Sequence, residues 1–461
     1  MKLGVVILAA GKGTRMRSAL PKVLHLLAGR PLLRHTLDAA EALGAVEICV
    51  VFGHGGEQVP KALAGASCTW LEQRERLGTG HAVQQAMPAM QAMDRVLVLY
   101  GDVPLIEPET LNRLVADSAD TDLGVLTMTV ADPAGYGRIV RDKRGHVLRI
   151  VEQKDASEAE LGIAEVNTGI IVADRARLRQ WLSAVTNDNV QGEYYLTDVI
   201  GLATSEGVEV VTASPEGPQE VAGVNDRIQL AELERYHQRR LAESLMRSGT
   251  TLMDPARLDI RGSLECDRDV VIDVNLVCEG RVRIGANAKV GPNCLLVNCE
   301  IGPGAQVLAN SIVEGAKVGA GARVGPFARL RPETDVGAGC HIGNFVEIKK
   351  SMIAGGSKVN HLSYIGDCDI ATGVNVGAGT ITCNYDGANK HRTVISDNAF
   401  IGSNASLVAP VHIGAGATIG AGSVIGRDTP PGKLSLTRAP QVTIEHWQRP
   451  VKQQKPDHED S

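Results

Sequence analysis

Over the first half of the chain, short apolar runs alternate with longer amphipathic stretches, as in Gly4-Val5-Val6-Ile7-Leu8, Ile48-Cys49-Val50-Val51 and Val96-Leu97-Val98-Leu99-Tyr100. Unbroken β-branched runs suit strands covered on both faces, so residues 1 to about 225 predict an α/β domain, a parallel sheet with crossover helices. Between Asp226 and Ser248, Leu230, Leu233, Leu241 and Leu245 recur at helical intervals among Glu, Arg, Gln and His, and Gly249 follows as a C-terminal stop. A helix linking two domains is expected there. The alternative is a last helix packed on the first domain, since periodicity does not say what an apolar stripe faces.

Beyond about residue 251, glycine-rich hexads carry an aliphatic residue at every sixth position. Val318, Val324, Leu330, Val336, Ile342 and Ile348 form one comb, and Ile395, Ile401, Leu407, Ile413, Ile419 and Ile425 form another. With about one residue in four Ile, Leu or Val, a given six-position comb fills by chance about once in 4,000 starts, so the repeat is no accident. A period of six matches neither an α-helix nor a heptad. It matches one flat side of a triangular coil of parallel strands, three hexads to a turn, with the aliphatic residues inward and small residues at the corners. The combs lie 77 residues apart, one short of thirteen hexads, so the frame slips between 348 and 395. Extra residues must bulge out there, and Asn384-Tyr385-Asp386-Gly387-Ala388-Asn389-Lys390 is the polar, turn-forming candidate.

A chain of 461 residues exceeds what one hydrophobic core usually supports, which excludes a single small module. The expected division is 1–227, a helix at 228–248, and 249–461. Only 3 Trp, 7 Tyr and 4 Phe accompany 51 Gly, so much of the core is built without rings, as stacked aliphatic ladders are. The balance of 47 Lys+Arg against 53 Asp+Glu, net −6, makes no electrostatic case for nucleic acid or an anionic membrane. Bound phosphates must be held locally. Nine cysteines without a C-x-x-C pair suggest neither a disulfide framework nor a zinc site, and reduced thiols fit a cytoplasmic location. The opening MKLGVVILAAGKG is interrupted too early for a secretion signal, and no run approaches the ~20 apolar residues of a membrane span. The tail from Gln441 to Ser461, polar and proline-interrupted, is expected to fray or to pack loosely on a neighbour.

The first strand ends in Ala9-Ala10-Gly11-Lys12-Gly13-Thr14-Arg15-Met16, at the carboxyl edge of the sheet, where ligands bind in such folds. Glycines let backbone N–H groups approach phosphate oxygens, and Lys12, Arg15 and Lys22 can neutralise their charge. Met16 stands where G-x-G-x-x-G needs its third glycine, and no G-x-x-x-x-G-K-[ST] follows, so the dinucleotide fingerprint and the Walker loop are both disfavoured. By spacing alone a plain glycine-rich turn is an equal reading. For Asp102, after Tyr100-Gly101, an N-cap or Asx-turn is likewise open.

Leu8-Ala9-Ala10-Gly11-Lys12-Gly13-Thr14-Arg15-Met16 followed by Pro21-Lys22 resembles the sugar-nucleotidyltransferase signature. With helix and hexads included, the chain resembles the bacterial family of bifunctional uridyltransferases and acetyltransferases that make UDP-N-acetylglucosamine. That resemblance implies a Rossmann-like nucleotidyltransferase domain, a linker helix and a left-handed parallel β-helix. It implies UTP and N-acetylglucosamine-1-phosphate as substrates of the first domain, with Arg15 and Lys22 at the phosphates and Mg²⁺ on Asp102 and Asn225. Leu8, Ala9, Ala10, Gly11, Tyr100 and Gly101 match its nucleotide positions, Gln73, Gly78 and Thr79 its uracil positions, and Gly137, Glu152 and Asn167 its sugar positions. A glutamine amide can both donate to and accept from a pyrimidine edge.

For the coil the resemblance implies acetyl transfer from acetyl-CoA to glucosamine-1-phosphate, with His361 as base and active sites between the coils of a homotrimer. Arg331 and Lys349 match its sugar-phosphate positions, and Tyr364 and Asn375 its sugar positions. Ala378, Asn384, Tyr385, Ser403, Ala421 and Arg438 match its acetyl-CoA positions. From the residues themselves two other readings stand: a sugar-1-phosphate nucleotidyltransferase for another sugar or base whose coil only regulates or oligomerises, and a non-catalytic assembly or regulatory subunit. His361, Asn384-Tyr385 and Arg438 argue against the first, and Lys22, Asp102 and Asn225 against the second.

Overall fold

The structure is a computed structural model that describes residues 1–53 and 55–451; the acidic end of the tail lies outside the described residues. The chain forms two compact units: Met1–Arg283 with Leu295–Asn298, and Ile284–Cys294 with the chain from Cys299 onward.

In the first unit the strand Leu3–Ala9 is buried along its whole length. It pairs in parallel with Glu47–Phe52 on one side and Arg95–Tyr100 on the other. Alternate residues serve two cores: Val5, Ile7 and Ala9 join one apolar cluster, Val6 and Leu8 the other. Chain order reverses on either side of this strand, which opens a crevice at its carboxyl end. The sheet is mixed rather than wholly parallel, since Glu165–Asp174 runs antiparallel to Arg95–Tyr100 and to Leu123–Thr129. It follows the antiparallel ribbon of Arg138–Arg141 and Val147–Val151 instead of a crossover helix, and antiparallel strands need no crossover.

The helix Arg227–Arg247 starts at Asp226, whose carboxylate accepts from Ile228 N and Gln229 N, both at 2.9 Å. Past its end Gly249 takes φ 101°, a left-handed value suited to glycine. Leu233 joins Met16, Leu27, Leu32, Leu105 and Val224 in one apolar cluster, so the helix packs on the α/β core. Gln238, 2% exposed, donates to Ile260 O at 2.7 Å and accepts from Ile260 N at 2.8 Å.

His237 of this helix meets His35 edge-on at 5.8 Å, and its buried Nδ1 has no hydrogen-bond partner among the described residues. Burial, with His35 and Arg240 adding to it, pushes His237 down to about 4. An unfolded chain takes up this proton near pH 6.5, the folded chain only near pH 4. Stability from neutral His237 is therefore intact above pH 6.5 and is lost as pH falls from 6.5 to 4, by about 3 kcal/mol. Thermal melts across that window should show the loss in the parent, and His237→Asn should flatten the slope.

The second unit is a coil of parallel strands with three inward aliphatic ladders. One runs Val290, Val307, Val324, Ile342, Val359, Val376, Ile401 and Ile419. Another runs Ile301, Val318, Val336, Ile353, Ile370, Ile395 and Ile413. The third contains Val313, Leu330, Ile348 and Ile365, with Leu407 and Ile425 above. Each ladder stays dry at the spacing of paired strands, which is how a glycine-rich chain builds a core without rings. Arg323 pairs with His341 and Lys358 with Asn375, turns of 18 and 17 residues. Asn375 pairs with Phe400, a turn of 25. The excess is the expected bulge, closed by an antiparallel bridge between Tyr385 and Lys390.

Among the described residues no disulfide joins any of the cysteines. Among the described residues no helix is long and apolar enough to cross a membrane.

Candidate functional site

At the carboxyl edge of Leu3–Ala9 lies a cavity of about 630 Å³ lined by Leu8, Ala9, Ala10, Gly11, Lys12, Lys22, Gln73, Gly78, Thr79, Tyr100 and Asp102. Gly13 takes φ 58°, and a methyl group there would stand 2.7 Å from Lys22 Cβ, so the loop can close over Lys22 only with glycine. The Lys22 ammonium pairs with Asp102 and donates to Asn225 Oδ1 at 3.2 Å. The side chains of Lys22 and Asp102 are 11% and 18% exposed, which shields the pair from water and strengthens the local field. Val224 N bonds Asp102 O at 2.8 Å, which delivers Asn225 beside Asp102 although 123 positions separate them in the chain.

Lys22 thus marks a cation position between a carboxylate and an amide oxygen. Two hard oxygens suit a divalent cation that keeps waters and phosphate oxygens as its other ligands. Among the described residues no group of three or more His, Cys, Asp or Glu offers another metal site. The buried Gln73 donates to Gly78 O at 3.2 Å, and its amide nitrogen stands 3.0 Å from His81 Nδ1. Gly101 N bonds Leu8 O at 3.0 Å and ties the strand ends together. Arg15 sits on the turn Thr14–Met16, exposed and outside the cavity lining.

A second cavity, of about 420 Å³, is lined by Glu152, Asp155, Tyr195, Thr197 and Asp198 among others. Asn167 N bonds Gly137 O at 2.9 Å, and a methyl group on Gly137 would stand 3.4 Å from Glu152 Oε1, so these three sequence-named residues gather at one place. Thr197 donates to Glu152 Oε1 at 3.1 Å. Burial raises Glu152 above the usual carboxylate range against the pull of that hydroxyl. Burial, with the charges of Glu152 and Asp155, pushes Asp198 up to about 6.

On the coil, Asn344 pairs with His361, and Leu362 N bonds Asn344 O at 3.1 Å. The same step repeats from Gly379 N to His361 O, from Asn404 N to Ala378 O, and from Gly422 N to Ser403 O. Asn344, His361, Ala378, Ser403 and Ala421 therefore stack at one corner on consecutive turns, about 4.8 Å apart. Methyl groups on Gly377 and Gly402 would stand 2.6 Å from Ser403 N and 2.5 Å from Ala421 N, so backbone crowding keeps this corner thin. Arg438 Nη2 lies 3.6 Å from the Cβ position of Gly420, beside Ala421.

Arg331 and Lys349 occupy another corner on consecutive turns, with Arg331 N bonded to Ile348 O at 2.8 Å. Arg331 is held by Glu347 at 2.9 Å. The Lys349 ammonium beside Lys390 holds Lys390 below the usual lysine range. Tyr364 pairs with Glu347 on the next turn, and Asn375 stands on the adjacent face, between Lys358 and Phe400. Asn384, 8% exposed, donates to the buried Asp367 at 2.5 Å, whereas Tyr385 on the same bulge is 60% exposed. Sequence reasoning missed Thr197, Asn344, Glu347 and Asp367 as partners of named residues, and quoted Lys390 only as part of the bulge. The one signal available was a separation of 16 or 17 residues, one coil turn, from Asn344 to His361, Glu347 to Arg331 and Asp367 to Asn384.

A phosphate-handling α/β crevice and a hexad coil with a histidine corner define a nucleotidyltransferase fused to an acyltransferase-type coil. Residues 5–249 match the MobA-like NTP transferase domain, and 315–350 and 392–427 match the bacterial transferase hexapeptide repeats. The chain is 58% identical over 449 residues to the bifunctional protein GlmU of Azoarcus sp., covering 97% of this chain and 99% of that one. Proteins of the same name from Methylococcus capsulatus and Ralstonia pickettii are 57% and 55% identical, covering 99% and 98% of this chain and 99% and 100% of theirs. The chain belongs to the bifunctional GlmU family. Its coil is accordingly a left-handed β-helix. It is an enzyme with two transferase activities, acetyl and uridylyl, in UDP-N-acetylglucosamine synthesis. Nucleotidyl transfer in this family depends on a divalent metal.

Proposed function

We propose that residues 1–227 carry uridylyl transfer, 228–248 connect, and 249–461 carry acetyl transfer, in a cytoplasmic homotrimer. The observation that carries this reading is the stack of His361 directly beneath Ala378, Ser403 and Ala421 on one corner of the coil. A thin pantetheine arm lying along that bare corner would bring its thioester down to the histidine.

In the coil, His361 takes a proton from the amine of glucosamine-1-phosphate, whose phosphate is held by Arg331 and Lys349. Tyr364 and Asn375 orient the sugar. The amine's own lone pair attacks the thioester carbon as His361 takes the N–H proton, the C–S bond breaks, and the departing thiolate receives that proton and leaves as coenzyme A thiol. Asn384, Tyr385 and Arg438 hold the coenzyme.

At the crevice, Asp102 and Asn225 would hold Mg²⁺, which when bound neutralises charge on the triphosphate. Leu8 to Gly11, Tyr100 and Gly101 bound the nucleotide, Gln73, Gly78 and Thr79 read the uracil, and Gly137, Glu152 and Asn167 hold the acetamido sugar. Lys22 and Arg15 stabilise negative charge as a sugar-phosphate oxygen attacks the α-phosphorus of UTP and pyrophosphate leaves. The attacking phosphate is already an anion, so no general base is assigned.

Purified protein with UTP, N-acetylglucosamine-1-phosphate and Mg²⁺ should release pyrophosphate, and chelation should stop it. With acetyl-CoA and glucosamine-1-phosphate it should release thiol with or without chelator. Chelator-insensitive pyrophosphate release would contradict the metal assignment, and a monomer in light scattering would contradict the trimer.

A further inference from the structure

We infer that Asn344 is the positioning residue of the acetyl-transfer base, fixing the proton of His361 on Nδ1 so that Nε2 is the atom that takes the proton from the amine. The inference rests on His361 being that base. His361 Nδ1 stands 2.8 Å from Asn344 Oδ1. An amide oxygen can only accept, so the ring nitrogen facing it must be the protonated one, and the lone pair of the neutral ring then lies on Nε2.

The placement along the coil suits this role. Asn344 is one turn from His361 on the side opposite Ala378, so the tautomer-setting contact and the acetyl-CoA column lie on opposite sides of the ring. The two side chains end strands of the same length, His341–Asn344 and Lys358–His361, which pair in parallel. Each is followed by a bulky residue in the left-handed region, Phe345 at φ 56° and Leu362 at φ 49°. That conformation disfavours large side chains, and its repetition on consecutive turns reproduces one corner geometry and keeps the two side chains in register. Ser363 Oγ donates to His361 O at 2.8 Å and braces the histidine backbone on the far side of the corner.

An amide differs from the carboxylate that often orients a catalytic histidine, because it sets the tautomer without adding charge. The titratable groups about the pair are His341 and Arg323 on turns below, Lys358 on the strand of His361, and Tyr364 at the start of the next strand. His341 is lowered by burial first and by Arg323, Lys358 and His361 next. The amide thus fixes the ring's proton without setting a carboxylate against it.

The test compares three full-length variants by steady-state thiol release, with pyrophosphate release and thermal melting as controls. Asn344→Ala should lower kcat of acetyl transfer about 10- to 100-fold with both KM values within about twofold. Asn344→Asp keeps an acceptor of the same shape and should retain most of the rate. Its carboxylate should move the acid limb of the kcat/KM profile up by about one pH unit. Wild-type kcat in Asn344→Ala, a rise in KM alone, or an unmoved profile in Asn344→Asp overturns the inference. Should Asn344→Ala melt early, Asn344→Asp decides by its profile. Loss of acetyl transfer in His361→Ala with none in Asn344→Ala overturns only the positioning role, while a fully active His361→Ala overturns the base assignment beneath it.

Discussion

His361→Ala is expected to lower thiol release from acetyl-CoA by about 10²- to 10⁴-fold, the usual worth of a general base, and to leave pyrophosphate release near normal. The amine of glucosamine-1-phosphate must lose a proton to complete acyl transfer, and His361 is the one side chain in the column of Asn344, Ala378, Ser403 and Ala421 that can take it. Its ring is exposed and hangs on a corner rather than in the aliphatic core, so truncation leaves no buried cavity. Parallel assays of thiol and pyrophosphate on one preparation check this, with thermal melting to confirm the fold. Equal loss of both activities would contradict two separately housed chemistries, and full retention of thiol release would remove His361 from the acetyl site.

Asp102→Asn should lower pyrophosphate release by about 10²-fold or more and spare acetyl transfer. The substitution keeps shape and removes one charge from a site where an ammonium and two oxygens are closely matched. Lys22 then keeps only neutral partners, and a metal held by two amides is weakly bound. The deficit should shrink as Mg²⁺ is raised, because lost affinity is recovered by mass action. A titration of rate against Mg²⁺ gives the measurement. A parent-like half-saturation would remove Asp102 from the metal site.

The aliphatic combs were legible because a six-residue period writes itself along the chain, and the bulge followed from arithmetic on their frame. What periodicity does not carry is direction. Glu165–Asp174 reads like its neighbours as an apolar strand, and only its ribbon precursor turns it antiparallel. The stripe of Arg227–Arg247 likewise looked the same whether it faced a linker or the α/β core, and Leu233 settles its packing. In the crevice, local spacing left the glycine loop open between a phosphate cradle and a plain turn, and Asn225 comes beside Asp102 only through a backbone bond between Val224 and Asp102. Glu347, Asn344 and Asp367 were invisible because each meets its partner across one coil turn. A search at the coil's own pitch, rather than along a local motif, finds such pairs.

The central claim is that the two units act in succession on one phosphorylated amino sugar. Acetyl-CoA carrying ¹³C in its acetyl group, mixed with glucosamine-1-phosphate, UTP, Mg²⁺ and the purified chain, tests it in one tube. The account predicts UDP-N-acetylglucosamine with the label in its acetamido group, and labelled N-acetylglucosamine-1-phosphate alone when UTP is withheld. An unlabelled sugar nucleotide, or one formed without acetyl-CoA, would contradict it.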